Sequence, residues 1–307
     1  MNRGMNNRII DEIRESFRTG SALTKLIYIN LAVFLLVKVL YVLYFLAVPD
    51  SGFASKEGQF YNDFLGYLMV PSDISTLIFR PWTVFTYMFL HFGFLHILFN
   101  MLVLFWFGRI FLQYLNQKQL LTTYLVGGLF GAGLFIGAYN LLPGLNTGIA
   151  LGASAAVMAI VIAISFYVPD YTVHLFFIGS VKIKYIAVGY VVLDVLQIAG
   201  DNSGGHIAHL GGALYGYLFA MQMKRGKDVG RNFSAFFDGL VTMFKRKPKM
   251  KVAYKSQAKK MTDHEYNMNK AASQKEVDKI LDKIAKSGYE SLSKKEKEIL
   301  FKMSGKN

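Results

Sequence analysis

The strongest constraint on the fold is a series of apolar runs that approach the length of a membrane-spanning helix. A helix needs roughly 20 apolar residues to cross the hydrocarbon layer of a bilayer. Only 18% of the 307 residues are charged and the mean hydropathy is +0.32, both unusual for a soluble globular chain. We therefore predict an all-α polytopic membrane protein with six transmembrane helices, at about residues 26–48, 82–107, 120–142, 150–168, 185–198 and 206–223.

The fifth apolar run is the shortest, and the segment before it leaves two interpretations open. The stretch YTVHLFFIG, residues 171–179, could be strand-like or could lie at the membrane interface. The following VKIKY alternates apolar and basic residues, a pattern typical of a strand.

Basic residues predict the orientation of these helices. Lys and Arg are concentrated in the N-terminal arm, in the second-to-third and fourth-to-fifth connections, and in the C-terminal tail. Because cytoplasmic segments carry the excess of Lys and Arg, we expect both termini in the cytoplasm and the chain in the plasma or inner membrane of a cell. We see no cleavable signal peptide, since no small-residue cleavage site precedes the first run.

The C-terminal tail holds most of the positive charge. The net charge is +14, and 22 of the 34 Lys and Arg residues follow Met223. Such a tail could attract nucleic acid, but beside a membrane we expect it to contact anionic lipid head groups, with no specific nucleic-acid partner.

Composition divides the chain into four regions. These are a cytoplasmic arm at 1–25, a six-helix membrane domain at 26–223 with a long first loop at about 49–81, a basic cytoplasmic linker at 224–272, and a small cytoplasmic helical pair at 273–307. The pair is predicted from two S-x-x-E capping boxes, Ser273 with Glu276 and Ser293 with Glu296, and from Gly288 as a helix stop between them. Two helices this short cannot hold a core alone, so we expect them to dock on another surface or to be marginally stable.

Several polar side chains lie in the apolar runs, where polarity is costly. A polar group in hydrocarbon needs a partner or a water-filled cavity, so each one is a candidate functional residue. The second, fourth and sixth predicted helices run in the same direction, so their polar residues are expected in one outward-facing layer. The candidates are His91, His96, Asn100, Ser154, Asp194, His206 and His209.

The spacing of these residues indicates which of them can act together. His96 and Asn100 are four residues apart and share a helix face, where both could donate hydrogen bonds to an oxyanion. His91 faces elsewhere on the same predicted helix, and we assign it to anchoring a loop. His209 precedes two glycines spaced Gly-x-x-x-Gly, which let helices approach closely, so it is expected on a helix contact face.

Three kinds of site could use these groups. A membrane zinc protease should carry H-E-x-x-H, which is absent from the sequence; a metal site of histidines is possible in composition, with Asp194 the carboxylate at matching depth. A transporter would be expected to show internal repeats, and we find none. A Ser–His pair with oxyanion donors would carry out acyl transfer.

Three separated segments carry a resemblance to a known family. They are HFGFLHILFN at 91–100, GASAA at 152–156 and AHLGGALYG at 208–216. Together they resemble the rhomboid intramembrane serine proteases, whose pattern is H-x4-H-x3-N, G-x-S and A-H-x2-G-x3-G in the second, fourth and sixth helices of a six-helix core. The resemblance spans roughly residues 60–222 and implies a rhomboid-like bundle that cleaves transmembrane protein substrates without a metal or cofactor.

The resemblance also implies a role for each matched residue. Ser154 would be the nucleophile and His209 the general base, in a dyad without a third carboxylate. His96 and Asn100 would form the oxyanion hole with the Ser154 amide, and Gly152 would allow the backbone to approach closely. His209 is preferred to His206 as the base because it alone stands at the family's offset from Gly212 and Gly216. The residues near the site that are expected to be structural are His91, His206, Gly212 and Gly216.

Some positions depart from the family pattern. Ala155 replaces the common glycine after the nucleophile, Met158 replaces an aromatic residue, and Thr83 follows Trp82 where arginine is common. We expect Asp194 to be a structural carboxylate that is hydrogen-bonded to a neighbouring helix. The alternative function is a catalytically silent relative that binds membrane segments.

Overall fold

The computed structural model describes residues 11–12, 14–49, 53–175, 178–227 and 263–304. The chain divides into two compact units, Met1–Lys245 and Arg246–Asn307. Most of the predicted basic linker at 224–272 lies outside the described residues.

The first unit is built from helices. Residues 14–19 form a helical segment ahead of them. The helices that follow are α1 (Ala22–Ala47), α2 (Phe53–Asp63), α3 (Ile74–Phe79), α4 (Thr83–Thr86), α5 (Phe94–Tyr114), α6 (Gln117–Leu141), α7 (Ser154–Tyr167), α8 (Ile183–Gln197) and α9 (Ser203–Lys224).

Helices α1, α5, α6, α7, α8 and α9 lie at the six predicted spans. By length and composition, α1, α5 and α6 could each cross a membrane, and α7 is a shorter apolar helix. The chain is therefore a mostly helical membrane protein, while the count of six crossings stays a prediction.

Polar side chains set the start of several of these helices. Ser21 caps α1 by accepting a hydrogen bond from the Thr24 amide. Asn116 and Gln119 form a reciprocal capping box at the start of α6. These caps satisfy amide groups that a helix leaves without partners in its first turn.

The predicted second span at 82–107 was wrong at its start, because α5 begins only at Phe94. The residues before it form α4, a 3-10 turn at Tyr87–Phe89 and an extended piece that ends at Gly93. This stretch is packed against protein: the Tyr87 hydroxyl donates to the Gly128 carbonyl over 2.6 Å. Hydropathy reports that a segment is apolar but does not distinguish burial in lipid from burial in protein, which explains the error.

The long first loop is anchored by hydrogen bonds to its own backbone. It contains α2, a 3-10 turn at Leu65–Tyr67, β1 (Val70–Pro71) and α3. The Arg80 guanidinium donates to the Gly66 carbonyl over 2.9 Å, and the Trp82 indole donates to the Tyr67 carbonyl over 2.7 Å. Thr83 thus follows Trp82 at the position where the family commonly has arginine. Arg80, three residues earlier, still anchors the loop.

A short sheet brings this loop to the start of α7. Strand β1 pairs antiparallel with β2 (Ile149–Ala150), in the register Val70 opposite Ala150. The predicted fourth span at 150–168 therefore begins as a strand, and the helix itself begins at Ser154.

The segment before α8 is a β-hairpin. Strand β3 (Thr172–Leu175) pairs with β4 (Gly179–Lys182), which confirms the strand-like interpretation. Asp170 accepts hydrogen bonds from Lys182 over 2.9 Å and from Lys184 over 3.0 Å. These two lysines, Lys182 first, lower the pKa of Asp170 to about 2.

Helix α7 lies at the centre of the first unit. All of its residues from Ala155 to Ser165 are buried. Gly212 and Gly216 of α9 lie so close to the carbonyls of Ala155 and Ala159 that a Cβ at either glycine would overlap them. Helix α7 is apolar all round because protein surrounds it, and the glycines of α9 permit the closest of these contacts.

In its described residues, the second unit contains two α-helices, α10 (Asp263–Ser287) and α11 (Lys294–Ser304). The predicted capping box of Ser293 and Glu296 is formed, because each side chain accepts from the other residue's amide. The box predicted at Ser273 was wrong, since α10 starts at Asp263 and Ser273 lies inside it. The Ser293 amide and the Lys283 amine lower the pKa of Glu296 to about 2.

Candidate active site

A cavity of about 260 Å³ opens among α5, α7, α8 and α9. Most of its lining is apolar. The lining also includes the polar side chains of Asn100, Ser154, Asp194 and His209 and the flexible side chain of Met158.

Local backbone geometry places Ser154 at the N-terminus of α7. After β2 the chain turns at Gly152, whose φ of +130° is one that L side chains rarely adopt. The Gly152 amide donates to the Tyr87 carbonyl over 2.9 Å, and Ser154 is the first residue of the helix. The first amides of a helix have no partner within it and form its positive end, so the Ser154 hydroxyl lies beside donors suited to a negative oxygen.

Close packing of α9 on α7 places His209 at the same cavity. His209 precedes Gly212 by one helical turn, and Gly212 contacts Ala155 of α7. The structure therefore brings Ser154 and His209 to one cavity. Among the hydrogen bonds of the described residues, His209 is joined to Asp194 and not to Ser154.

Asp194 joins α8 to α9. Its Oδ1 atom accepts from His206 Nδ1 over 2.7 Å and from His209 Nδ1 over 2.8 Å. An ionised carboxylate only accepts hydrogen bonds, so each imidazole carries its proton on Nδ1 and leaves Nε2 as an acceptor. The expected bond of Asp194 to a neighbouring helix is formed, but its partners were missed. The i, i+3 spacing of the two histidines, which puts both on one face, was the signal that could have indicated a shared partner.

His96 and Asn100 lie next to Ser154, where the oxyanion donors are expected. A Cβ on Gly152 would lie 3.0 Å from His96 Nε2 and 3.5 Å from Ser154 Oγ. The Asn100 amide nitrogen donates to the His96 carbonyl over 2.8 Å and has a second proton to donate. Both side chains are thus placed near Ser154, and their part in catalysis stays a prediction.

His91 lies outside α5, so the helical-wheel placement of this residue was wrong. It is 1% exposed in the extended piece before the helix. Its ring packs edge-on against His96, with 5.0 Å between centroids. His91 can therefore support the position of His96 by packing.

The departures from the family pattern occupy buried positions. Ala155 is 1% exposed, between Gly131 of α6 and Gly212 of α9. Met158 lines the cavity one turn after Ser154. Its flexible side chain can fill the place of an aromatic ring.

Comparison with known families decides the relationship. A family model of the Rhomboid domain matches residues 79–225, which include all of the candidate site residues. The chain belongs to the rhomboid family. Residues 260–306 match a family of unknown function (DUF6576), so a second family model matches the chain after its Rhomboid domain.

Several curated relatives are 30% identical to this chain over the matched residues. RHOMBOID-like protein 12, mitochondrial, from Arabidopsis thaliana is 30% identical over 163 residues, which cover 48% of each chain. Presenilin-associated rhomboid-like protein, mitochondrial, from Homo sapiens is 30% identical over 138 residues, which cover 43% of this chain and 35% of that protein. A presenilin-associated rhomboid-like protein A, mitochondrial, from Danio rerio is also 30% identical, over 43% of this chain and 34% of its own length. The chain thus spans about half or less of the length of these relatives.

Proposed function

We propose that this rhomboid is an intramembrane serine endopeptidase that hydrolyses peptide bonds in or near transmembrane segments of other membrane proteins. The observation that carries the proposal is that Ser154 and His209, from two different helices, line one cavity. The proton on Nδ1 of His209 leaves Nε2 free to act as a base.

The proposed chemistry is acyl transfer. His209 Nε2 takes the proton of Ser154 as the hydroxyl attacks the substrate carbonyl, and then gives that proton to the leaving amine. Water hydrolyses the acyl-enzyme in a second step. The Ser154 amide, His96 and Asn100 would stabilise the negative oxygen that develops on the carbonyl.

The substrate is expected to be an unwound stretch of a transmembrane segment, because a helix keeps its carbonyls in hydrogen bonds. Helix α8 is the proposed gate. It borders the cavity, yet Ile183, Ala187 and Asp194 are its only buried residues in the part of the chain that the structure describes. A helix with so little buried surface can move at low cost.

The cellular membrane is also part of the proposal. The distribution of basic residues supports an orientation with both termini in the cytoplasm. The names of the curated relatives place those proteins in mitochondria and give no support to a plasma-membrane location. Contact of the tail with anionic lipid would involve the linker, most of which lies outside the described residues.

Purified protein and a transmembrane-segment substrate test the function directly. We expect the wild type to cleave, and Ser154→Ala and His209→Ala to lose at least about 1,000-fold in rate, because each removes one of the two reacting groups. A serine-reactive fluorophosphonate should modify Ser154, as read by peptide mapping.

Ser165→Ala is the matched control. Ser165 lies on the same helix, is fully buried, and its hydroxyl has no partner among the described residues, so cleavage should persist. Equal cleavage by the wild type and both active-site variants would disprove the proposal. Binding of the segment without cleavage by any of them would favour the silent, segment-binding alternative.

A further inference from the structure

We propose that Asp194 is a positioning residue that holds His209 in the tautomer and orientation its role as a base requires. This inference rests on the proposed function and adds a third group to the expected dyad. Asp194 acts through His209 and need not touch the substrate.

The geometry of the hydrogen bonds supports the assignment. A single carboxylate oxygen, Oδ1, accepts from both His206 and His209, over 2.7 and 2.8 Å. These are short, direct contacts between nearly buried side chains, 8% exposed for Asp194 and 19% for His209. A carboxylate bonded to Nδ1 keeps the proton there and directs the Nε2 lone pair away from itself.

A metal site is the competing interpretation of the same three side chains. Asp194, His206 and His209 offer ligand atoms within 4.8 Å of one another. Two ligands bound tetrahedrally to Zn²⁺ at about 2.0–2.1 Å would lie about 3.3 Å apart. The observed separations of 2.7 and 2.8 Å are shorter and fit hydrogen bonds that need a proton between the atoms.

A purely structural role does not account for the second oxygen. Asp194 Oδ2 is buried and has no hydrogen-bond partner among the described residues. Burying a carboxylate is costly, and buried polar atoms normally have a hydrogen-bond partner, so an exception calls for a functional explanation. A carboxylate whose one bonded oxygen serves two imidazoles is placed for its effect on those imidazoles.

The position of Asp194 links the base to the proposed gate. Asp194 belongs to α8, whereas His209 belongs to α9. A displacement of α8 that admits a substrate would carry the carboxylate with it. His206, three residues before His209, bonds the same oxygen and gives the carboxylate a second attachment to α9.

Asp194→Asn tests the inference, because it keeps the size and an acceptor oxygen but removes the charge. We expect kcat to fall by about 100-fold with KM changed little, as for removal of a group that orients another. The acidic limb of the pH profile of kcat/KM should also move to lower pH by about one unit, since the imidazolium loses a neighbouring negative charge.

The position of that limb does not depend on how much of the sample is folded, so residual activity is sufficient to measure it. An unchanged limb, at any rate of cleavage, would overturn the inference. A variant with a wild-type unfolding midpoint and no measurable cleavage would support it. Should Asp194→Asn fail to fold, Asp194→Glu replaces it: we expect a rate at least about 10-fold lower with the carboxylate displaced, and a wild-type rate would contradict the proposal.

Asn30→Leu provides the control for lost buried polarity. Asn30 is fully buried and donates from α1 to the Tyr124 hydroxyl over 3.1 Å, outside the cavity. Its replacement should lower the unfolding midpoint and leave the acidic limb in place. Failure of the proposed function itself would be recognised separately, by cleavage that persists in Ser154→Ala.

Discussion

At the scale of single residues, Gly152 is a position where the site tolerates little change. Its φ of +130° disfavours any side chain, and a Cβ there would lie 3.0 Å from the His96 ring and 3.5 Å from Ser154 Oγ. We expect Gly152→Ala to reduce the rate of fluorophosphonate labelling at Ser154 by at least about 10-fold, because strained backbone of this kind costs about 1–3 kcal/mol. The labelling rate and the unfolding midpoint measure the two effects.

Gly144→Ala separates this effect from the general cost of adding a methyl group. Gly144 lies in the loop after α6, and no heavy atom would come within 4 Å of its Cβ. Labelling should therefore match the wild type. Equal labelling of the two alanine variants would show that the turn before Ser154 is not constrained as described.

Residue spacing predicted which polar groups would converge but not how they would pair. Asn100, Ser154 and His209 were expected in one layer from their positions along three helices, and they line one cavity. Their chemical roles stay predictions. The spacing of His206 and His209 could have indicated a shared partner, but not that the partner is Asp194. That contact depends on how far α8 is rotated and tilted against α9, which packing determines and sequence periodicity does not.

At the scale of elements, the contact between α7 and α9 brings Ser154 and His209, the proposed nucleophile and base, to one cavity. A Cβ on Gly212 would overlap the Ala155 carbonyl, so Gly212→Ala must push the two helices apart. We expect a loss of about 1–3 kcal/mol in stability, as for other overpacked interfaces, together with a fall of at least about 10-fold in cleavage by the protein that remains folded. Thermal unfolding in detergent and initial cleavage rates provide the two measurements.

Gly137→Ala on α6 is the matched helical control. A Cβ at Gly137 would meet no heavy atom within 4 Å, and alanine is the better helix former. Stability should be unchanged or slightly higher, with normal cleavage. If Gly212→Ala were equally well tolerated, the close approach of α9 to α7 could not be what aligns the site.

Hydropathy predicted the positions of the long helices better than their ends. The prediction for α6, 120–142, agrees with Gln117–Leu141 because that helix is continuous and capped. The start of α5 was missed because an apolar, buried turn precedes it. Helix α7, at 14 residues, can be short because its neighbours rather than lipid surround it, a distinction that composition alone does not make.

At the scale of the whole molecule, the family matches and the compact units divide the chain in the same way. The Rhomboid match at 79–225 falls within Met1–Lys245, and the match at 260–306 falls within Arg246–Asn307. The sequence predicted a helical pair at the C-terminus from one capping box that is formed and one that is not. The box of Ser293 and Glu296 marks the start of a helix. The S-x-x-E pattern at Ser273 lies inside a helix, so the pattern alone does not identify a helix start.

This division predicts that the candidate site keeps its reactivity when the second unit is removed. All of the candidate site residues, from His91 to Gly216, lie in the first unit, and a compact unit with its own core can fold alone. We therefore expect a chain that ends at Lys245 to be labelled at Ser154 within about two-fold of the full-length rate. The comparison uses the same detergent and the same fluorophosphonate for both chains. Loss of labelling with an unchanged unfolding midpoint would instead show that Arg246–Asn307 contributes to the activity of the site, and the second unit would then have to be counted as part of the enzyme.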